Sequence, residues 1–262
     1  MRVLVVAGSD SGGGAGIQAD IKTITMLGGY AATAVTALTV QNTLGVFDVM
    51  AAPASFVRHQ MRVVLDDIGA DVVKTGMLHD ETIVEAVRSE LVATSPRPRL
   101  VVDPVMVAKG GASLLSAQAA ASVLDRLLPL ADLVTPNAPE AAALAGIPVL
   151  CEADLVRAGE LLLAKGARAA LVKGGHLPGD EVVDALVTRE GHQLFRAQRI
   201  ESRHTHGTGC TLASAVAALL AQGVSLVEAV ERARMFVRRA IEAAPGLGAG
   251  HGPLGHMRVL GA

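Results

Sequence analysis

The chain of 262 residues has no tryptophan, one tyrosine and four phenylalanines, so aromatic residues make up only 2% of it. Proteins that hold single-stranded nucleic acid stack its bases on such rings, and too few are present to build that platform. A basic face is missing as well: 23 Lys and Arg stand against 25 Asp and Glu, a net charge of −2, whereas neutralising a phosphate backbone takes a local excess of cations. Nucleic acid is therefore not an expected partner. The only cysteines are Cys151 and Cys210, and no Cys-x-x-Cys occurs, which excludes a disulfide scaffold and a thiolate zinc site and suits a reducing cytoplasm. The apolar run at residues 3–7 is too short for the core of a secretory signal.

Hydrophobic residues are abundant, 51% against 18% charged, enough to bury a large core. Two uncharged stretches, residues 23–47 and 205–227, approach the ~20 residues that a membrane-spanning helix needs. Gly28-Gly29 and Gln41-Asn42-Thr43 interrupt the first, and Ser214 and Gln222-Gly223 the second, so both are expected to be buried elements of a fold in water.

Short β-branched runs at residues 3–6, 34–40, 71–74, 100–103, 133–135 and 170–173 alternate with helical stretches. That alternation predicts βα units, a mostly parallel sheet with helices on both faces, and one α/β domain over residues 1–262. Residues 182–187 and 193–198, separated by Glu190-Gly191, predict a hairpin at one edge. Ser225 and Glu228 have capping-box spacing, and Gly146, Gly166 and Gly223 stand where helix C-terminal caps belong.

Open α/β sheets bind ligands beyond the carboxyl ends of their strands. Polar and glycine-rich residues cluster there: Gly8-Ser9-Asp10, Gln41-Asn42, Thr75-Gly76-Met77, residues 104–111, Pro136-Asn137 and Gly174-Gly175-His176. The strongest segment is His204-Thr205-His206-Gly207-Thr208-Gly209-Cys210-Thr211, which leads straight into an Ala-rich helix. Glycines there let several N–H groups converge at a helix N-terminus, where the dipole favours an anion such as a phosphoryl group. Cys210 falls in the first turn, where a thiol pKa can drop, so partial thiolate character and a base role are one expectation and a buried small hydrophobe the other.

Residues 8–16 form a second glycine-rich loop, but their spacing fails Gly-x-Gly-x-x-Gly, and the chain has no Walker A motif. Asn137-Ala138-Pro139-Glu140 fits a helix cap, and Glu140 could equally hold a magnesium ion through water, as could Asp103. Lys173, at a strand end, is either a solvated terminus or a contact to phosphate oxygens. The histidines at 176, 204, 206, 251 and 256 lack any zinc spacing and read as loop residues.

Together, residues 8–22, 38–45, 74–78, 101–111, 135–140, 172–177, 205–211 and 248–256 resemble, in order, the signature blocks of the hydroxymethylpyrimidine (phosphate) kinases. The resemblance implies a ribokinase-like three-layer α/β/α sandwich with a mostly parallel sheet, usually a homodimer. With ATP and Mg²⁺ it would phosphorylate 4-amino-5-hydroxymethyl-2-methylpyrimidine, then the monophosphate, in thiamine biosynthesis. At matching positions Gln41 would hydrogen-bond the pyrimidine, Asp20 and the backbone near Gly8 and Val105 would help hold it, and Met77 would contact the ring. Gly207, Thr208, Gly209 and Cys210 would form the anion hole, Cys210 standing where most related sugar kinases place an aspartate. Lys173, Asn137, Thr205 and Gly207 would serve ATP, and Glu140 with Asp103 the magnesium. A pyridoxine/pyridoxal kinase is the competing enzyme, and a non-catalytic pyrimidine-binding sensor the competing class.

Overall fold

The computed structural model describes residues 1–106 and 117–259. Nine strands make one sheet: β1 (Arg2–Asp10), β2 (Tyr30–Asn42), β3 (Gly45–Ala51), β4 (Val72–Thr75), β5 (Arg99–Val102), β6 (Leu133–Val134), β7 (Ala169–Val172), β8 (Glu181–Thr188) and β9 (Gly191–Gln198). Their order is β3-β2-β1-β4-β5-β6-β7-β8-β9. The six adjacent strands β2-β1-β4-β5-β6-β7 are mutually parallel; β3 at one edge and β8 near the other run opposite to them, and β9 pairs antiparallel with β8.

Apolar residues are consecutive in the central strands because both sheet faces are covered, and successive side chains go to opposite layers. Val3, Val5 and Ala7 pack with α1 (Gly16–Met26), α7 (Thr208–Ala221) and α8 (Leu226–Glu242). Leu4 and Val6 pack into the second core, shared with α2 (Ala54–Asp67), α3 (Glu81–Ala93), α4 (Ala117–Ser122), α5 (Ala138–Ala145) and α6 (Glu152–Ala164). The result is the three-layer α/β/α arrangement that the alternation predicts. The β8–β9 hairpin turns where Glu190-Gly191 predicts.

Helix ends follow the expected chemistry. Asn137 and Glu140 cap α5 reciprocally, with N–H to side-chain oxygen distances of 2.8 and 2.9 Å, and Gly146 closes that helix at φ 75°. Ser225 accepts the Glu228 N–H at 3.4 Å, half of a capping box. Strand β3 has no counterpart in the sequence reading. Its turn is made by the Asn42 side chain accepting the Leu44 N–H at 2.8 Å, and its residues are mostly half-exposed, so no apolar run announces it.

The uncharged stretches find their explanation in burial. Residues 23–47 divide among the end of α1, β2 and the start of β3, while 205–227 hold α7, whose residues from Thr211 to Leu220 are all buried. Among the described residues no helix is long and apolar enough to cross a membrane. One charged pair lies inside this packing: Lys74 Nζ of β4 donates to Asp20 Oδ1 of α1 at 2.9 Å, and Ser214 Oγ of α7 donates to the same oxygen at 2.6 Å. Both charged side chains are fully buried. The pair ties sheet, α1 and α7 together directly below the start of α7, and losing either partner would strand the other charge out of water.

Candidate active site

The carboxyl ends of the parallel strands and the N-terminus of α7 open on one cavity of about 840 Å³. Gly8, Gln41, Met77 and Val105 line it over the β2-β1-β4-β5 part of the sheet. Asp103, Asn137, Glu140 and Lys173 line it over β5 to β7, and Thr205, Gly207, Thr208, Gly209 and Cys210 bound it from α7 and the preceding loop. Val182, Ala197, Ile200, Val237 and Ile241 add an apolar wall over β8 and β9. Thirteen of the fourteen candidate site residues therefore face one space.

The glycine-rich loop after β1 is wound around the Asp10 carboxylate. Oδ1 accepts the Gly12 N–H at 2.8 Å, and Oδ2 accepts those of Gly14 and Ala15 at 3.0 and 2.8 Å. Burial works to raise the pKa of Asp10, but the His206 hydrogen bond and these N–H groups outweigh it and hold the acid below its ordinary value. The loop before α7 packs against this one backbone to backbone. Gly207 has φ 86°, and a Cβ there would collide with the Gly14 carbonyl; a Cβ on Gly14 would in turn meet the His206 ring at 2.5 Å. Only glycine permits both the left-handed backbone and the approach.

At the start of α7 the Thr208 N–H turns back to Thr205 O at 3.4 Å and the Thr211 N–H to Gly207 O at 2.9 Å. Among the described residues the N–H groups of Gly209 and Cys210 have no carbonyl partner, and both residues line the cavity. Unpaired donors at a helix N-terminus make an anion site, as the glycine spacing predicts.

Charged groups surround this terminus. Asp103 Oδ1 accepts the Thr135 hydroxyl at 3.0 Å and the Lys173 ammonium at 3.1 Å. Lys173 is thus no solvated strand end: its side chain is 13% exposed, and although burial opposes the charge, Asp103 and Glu140 hold its pKa above the ordinary value. Burial pushes Glu140 up to about 6, the Lys173 charge opposing and Asp103 reinforcing. Two adjacent carboxylates with more negative charge than one lysine compensates are hard oxygen donors that fit a dication such as Mg²⁺. The capping role of Glu140 and its place in the cavity hold together, because Oε2 alone takes the Asn137 N–H.

Three expectations need correction. Asp20, expected to help hold the pyrimidine, does not line the cavity; Lys74 and Ser214 draw its carboxylate into the interior beneath the wall. Cys210, for which partial thiolate character was one of two expectations, has its pKa pushed up to about 12: burial dominates, and the Asp20 and Asp103 charges add to it against Lys74 and the Gly16 N–H. The histidines are not a uniform set of loop residues. His206 Nε2 lies 2.9 Å from Asp10 Oδ2 and 3.2 Å from the Gln41 amide nitrogen. His256 is buried against the Thr211 hydroxyl at 2.9 Å, where burial depresses its pKa to about 4. Residues 107–111, the end of the loop after β5, lie outside the described residues.

Asp10, His206, Asp184 and Arg234 were given no site role by the sequence reading. Asp184 accepts the Gly174 N–H at 2.9 Å and pairs with Arg234 at 2.7 Å, fixing the loop after β7. The available signal was position alone: Asp10 precedes three glycines, and His206 precedes the anion loop.

The chain is similar to several known proteins. A family model described as phosphomethylpyrimidine kinase matches residues 10–255. A hydroxymethylpyrimidine/phosphomethylpyrimidine kinase of Streptomyces coelicolor is 52% identical over 259 residues, 99% of this chain and 95% of the relative. The thiamine biosynthesis bifunctional protein ThiED of Geobacter sulfurreducens is 51% identical over 256 residues, and the chain spans about half of its length, 52%, with 97% of the chain matched. A pyridoxal kinase of Staphylococcus aureus in complex with AMP-PCP and pyridoxal superposes with a TM-score of 0.89 at 34% identity, covering 97% of this chain and 93% of that one. The chain belongs to the phosphomethylpyrimidine kinase family, and its architecture is the ribokinase-like α/β fold.

Proposed function

We infer that the protein transfers the γ-phosphoryl group of ATP to the hydroxymethyl group of 4-amino-5-hydroxymethyl-2-methylpyrimidine, and then phosphorylates the monophosphate, in thiamine biosynthesis. One observation carries this reading: Gln41 and the N–H groups of Gly209 and Cys210, unpaired among the described residues, line the same cavity. Gln41 has a donor and an acceptor to offer the aminopyrimidine edge, Met77 offers an apolar contact to the ring, and the backbone at Gly8 and Val105 closes around it. The apolar wall of Val182, Ala197, Ile200, Val237 and Ile241 suits a purine base, and Asn137, Thr205 and Gly207 line the same cavity.

In this reading the hydroxymethyl oxygen forms a bond to the γ-phosphorus as the bond to the ADP oxygen breaks. The Gly209 and Cys210 amides and the Lys173 ammonium meet the charge on the transferring oxygens, so catalysis is mainly positioning and charge stabilisation. Asp103 and Glu140 would hold Mg²⁺, which when bound offsets phosphate charge. The Cys210 thiol, protonated at neutral pH, serves as a hydrogen-bonding neighbour of the hydroxyl rather than as a base. A loose phosphoryl transfer tolerates this, because the hydroxyl proton can leave late, onto the product phosphate.

Leu38, Val40, Leu44, Phe47 and Met50 are all about half or more exposed on the β2–β3 ribbon, an apolar face that supports the homodimer reading. Sedimentation of the protein should give twice the 26.8 kDa chain mass, and Phe47→Lys should shift it to the single mass; a monomeric parent would contradict this.

Product formation from Mg-ATP should be measured with the pyrimidine alcohol, its monophosphate and pyridoxal in turn. Turnover on the first two, with kcat/KM for pyridoxal at least about tenfold lower, is expected. A preference for pyridoxal would make the protein a pyridoxal kinase, and binding of the pyrimidine without ADP formation would make it a sensor. The pH profile separates the proton roles. Glu140 titrates at about 6 and must ionise to hold the cation, so kcat/KM should rise through pH 6 and then stay level to pH 9, with the rise lost in Glu140→Gln. A rate that keeps climbing about tenfold per pH unit to pH 9 would make the thiolate the reacting form.

A further inference from the structure

His206 stands where the two glycine-rich loops meet, its side chain 11% exposed, and it touches both the Asp10 carboxylate and the Gln41 amide through the same ring nitrogen. A nitrogen with one position to fill cannot donate to one neighbour and accept from the other, so its proton decides how both are arranged. Asp10 already accepts three backbone N–H bonds, which marks it as an ionised, acceptor-only carboxylate. Nε2 must therefore carry the hydrogen that Asp10 Oδ2 receives at 2.9 Å. The same hydrogen faces Gln41, and it can be shared with an oxygen there but not with an NH2 group.

The other side of the amide gives the same answer. The Thr39 hydroxyl lies 3.0 Å from Ser9 O and 3.1 Å from the Gln41 amide oxygen, and its single hydrogen cannot fully serve both. Turning the amide through 180° satisfies every group: Thr39 donates to Ser9 O and accepts from the Gln41 NH2, while Gln41 Oε1 accepts from His206. Gln41 has little other freedom, since its backbone N–H donates to Ser11 Oγ at 2.8 Å and its carbonyl accepts from that hydroxyl at 2.8 Å. One N–H and one oxygen lone pair of the amide then remain for the cavity, in a fixed order.

We propose that His206 is a specificity-determining positioning residue, which through Asp10 fixes the Gln41 amide so that it offers a donor to a ring nitrogen and an acceptor to the neighbouring exocyclic amine. This rests on the cavity being the site of the heterocyclic alcohol. A 4-aminopyrimidine presents that acceptor–donor edge, whereas the 4-oxo analogue, with N–H in the ring and C=O outside it, presents the reverse. His206 thus contributes selectivity between the two rings, and it does so without touching the ring.

The test compares kcat/KM for the 5-hydroxymethyl alcohols of the 4-amino and 4-oxo pyrimidines in the parent, His206→Leu and His206→Gln, whose side-chain N–H can replace Nε2–H. The parent should favour the amino ring by on the order of 100-fold. His206→Leu should reduce that ratio to below about tenfold, with KM for ATP unmoved, while His206→Gln keeps it within about threefold of the parent. An unchanged ratio in His206→Leu, or a ratio lost equally in His206→Gln, overturns the proposal, because a merely structural role would slow both alcohols alike. A parent that phosphorylates neither alcohol would instead overturn the functional reading. Should His206→Leu fail to fold, a ¹H–¹⁵N correlation of the parent imidazole still decides: a proton on Nε2 is expected, and a ring protonated only at Nδ1 contradicts it.

Discussion

Charge removed from water has to be met by opposite charge, and around the start of α7 that requirement governs everything else. Lys74 and Lys173 stand against Asp20, Asp103 and Glu140, an excess of one negative charge packed under and beside the unpaired amides. Each consequence follows from that imbalance. Another anion is unwelcome, so the Cys210 thiol keeps its proton and Glu140 ionises late; in the proposed reading a dication arriving with the nucleotide would restore balance. The helix terminus can receive a phosphoryl group because positive charge from Lys173 accompanies it, while Lys74, sealed below, holds Asp20 away from the substrate.

Geometry makes the arrangement cooperative across the sheet. In the proposed reading, ring recognition falls to the strands at one side, β2, β1 and β4, and anion binding to a loop that follows β9 in the chain. They meet because Gly14 and Gly207 let two backbones touch, with the Asp10–His206 bond as the clasp. Any side chain between them would push the ring pocket away from the phosphoryl site, and in a transfer reaction that separation is costly.

Most of the architecture could be read from the chain because it rests on local signals: consecutive β-branched residues for doubly covered strands, Asn137 and Glu140 at cap spacing, and Glu190-Gly191 at a hairpin turn. β3 was illegible because its turn depends on the Asn42 side chain and its residues are half exposed. In the cavity, residues whose placement is set by the local backbone, such as Gly207 to Cys210, were legible from spacing. Residues whose role is set by a partner far along the chain were not. Asp20 is withdrawn by Lys74, 54 positions away, and His206 is recruited by Asp10, 196 positions away. The Cys210 pKa is set first by burial and then by Asp20 and Asp103, two carboxylates from distant parts of the chain, so the local first-turn argument pointed the wrong way.

The central claim concerns where the travelling phosphoryl group sits. A crystal structure with a non-hydrolysable ATP analogue, Mg²⁺ and the pyrimidine alcohol tests it most directly. The account predicts the γ-phosphoryl oxygens within hydrogen-bonding distance of the Gly209 and Cys210 N–H groups and of Lys173 Nζ, with the alcohol oxygen opposite the leaving ADP oxygen. A γ-phosphoryl group held away from α7, with those amides still unpaired, would contradict it.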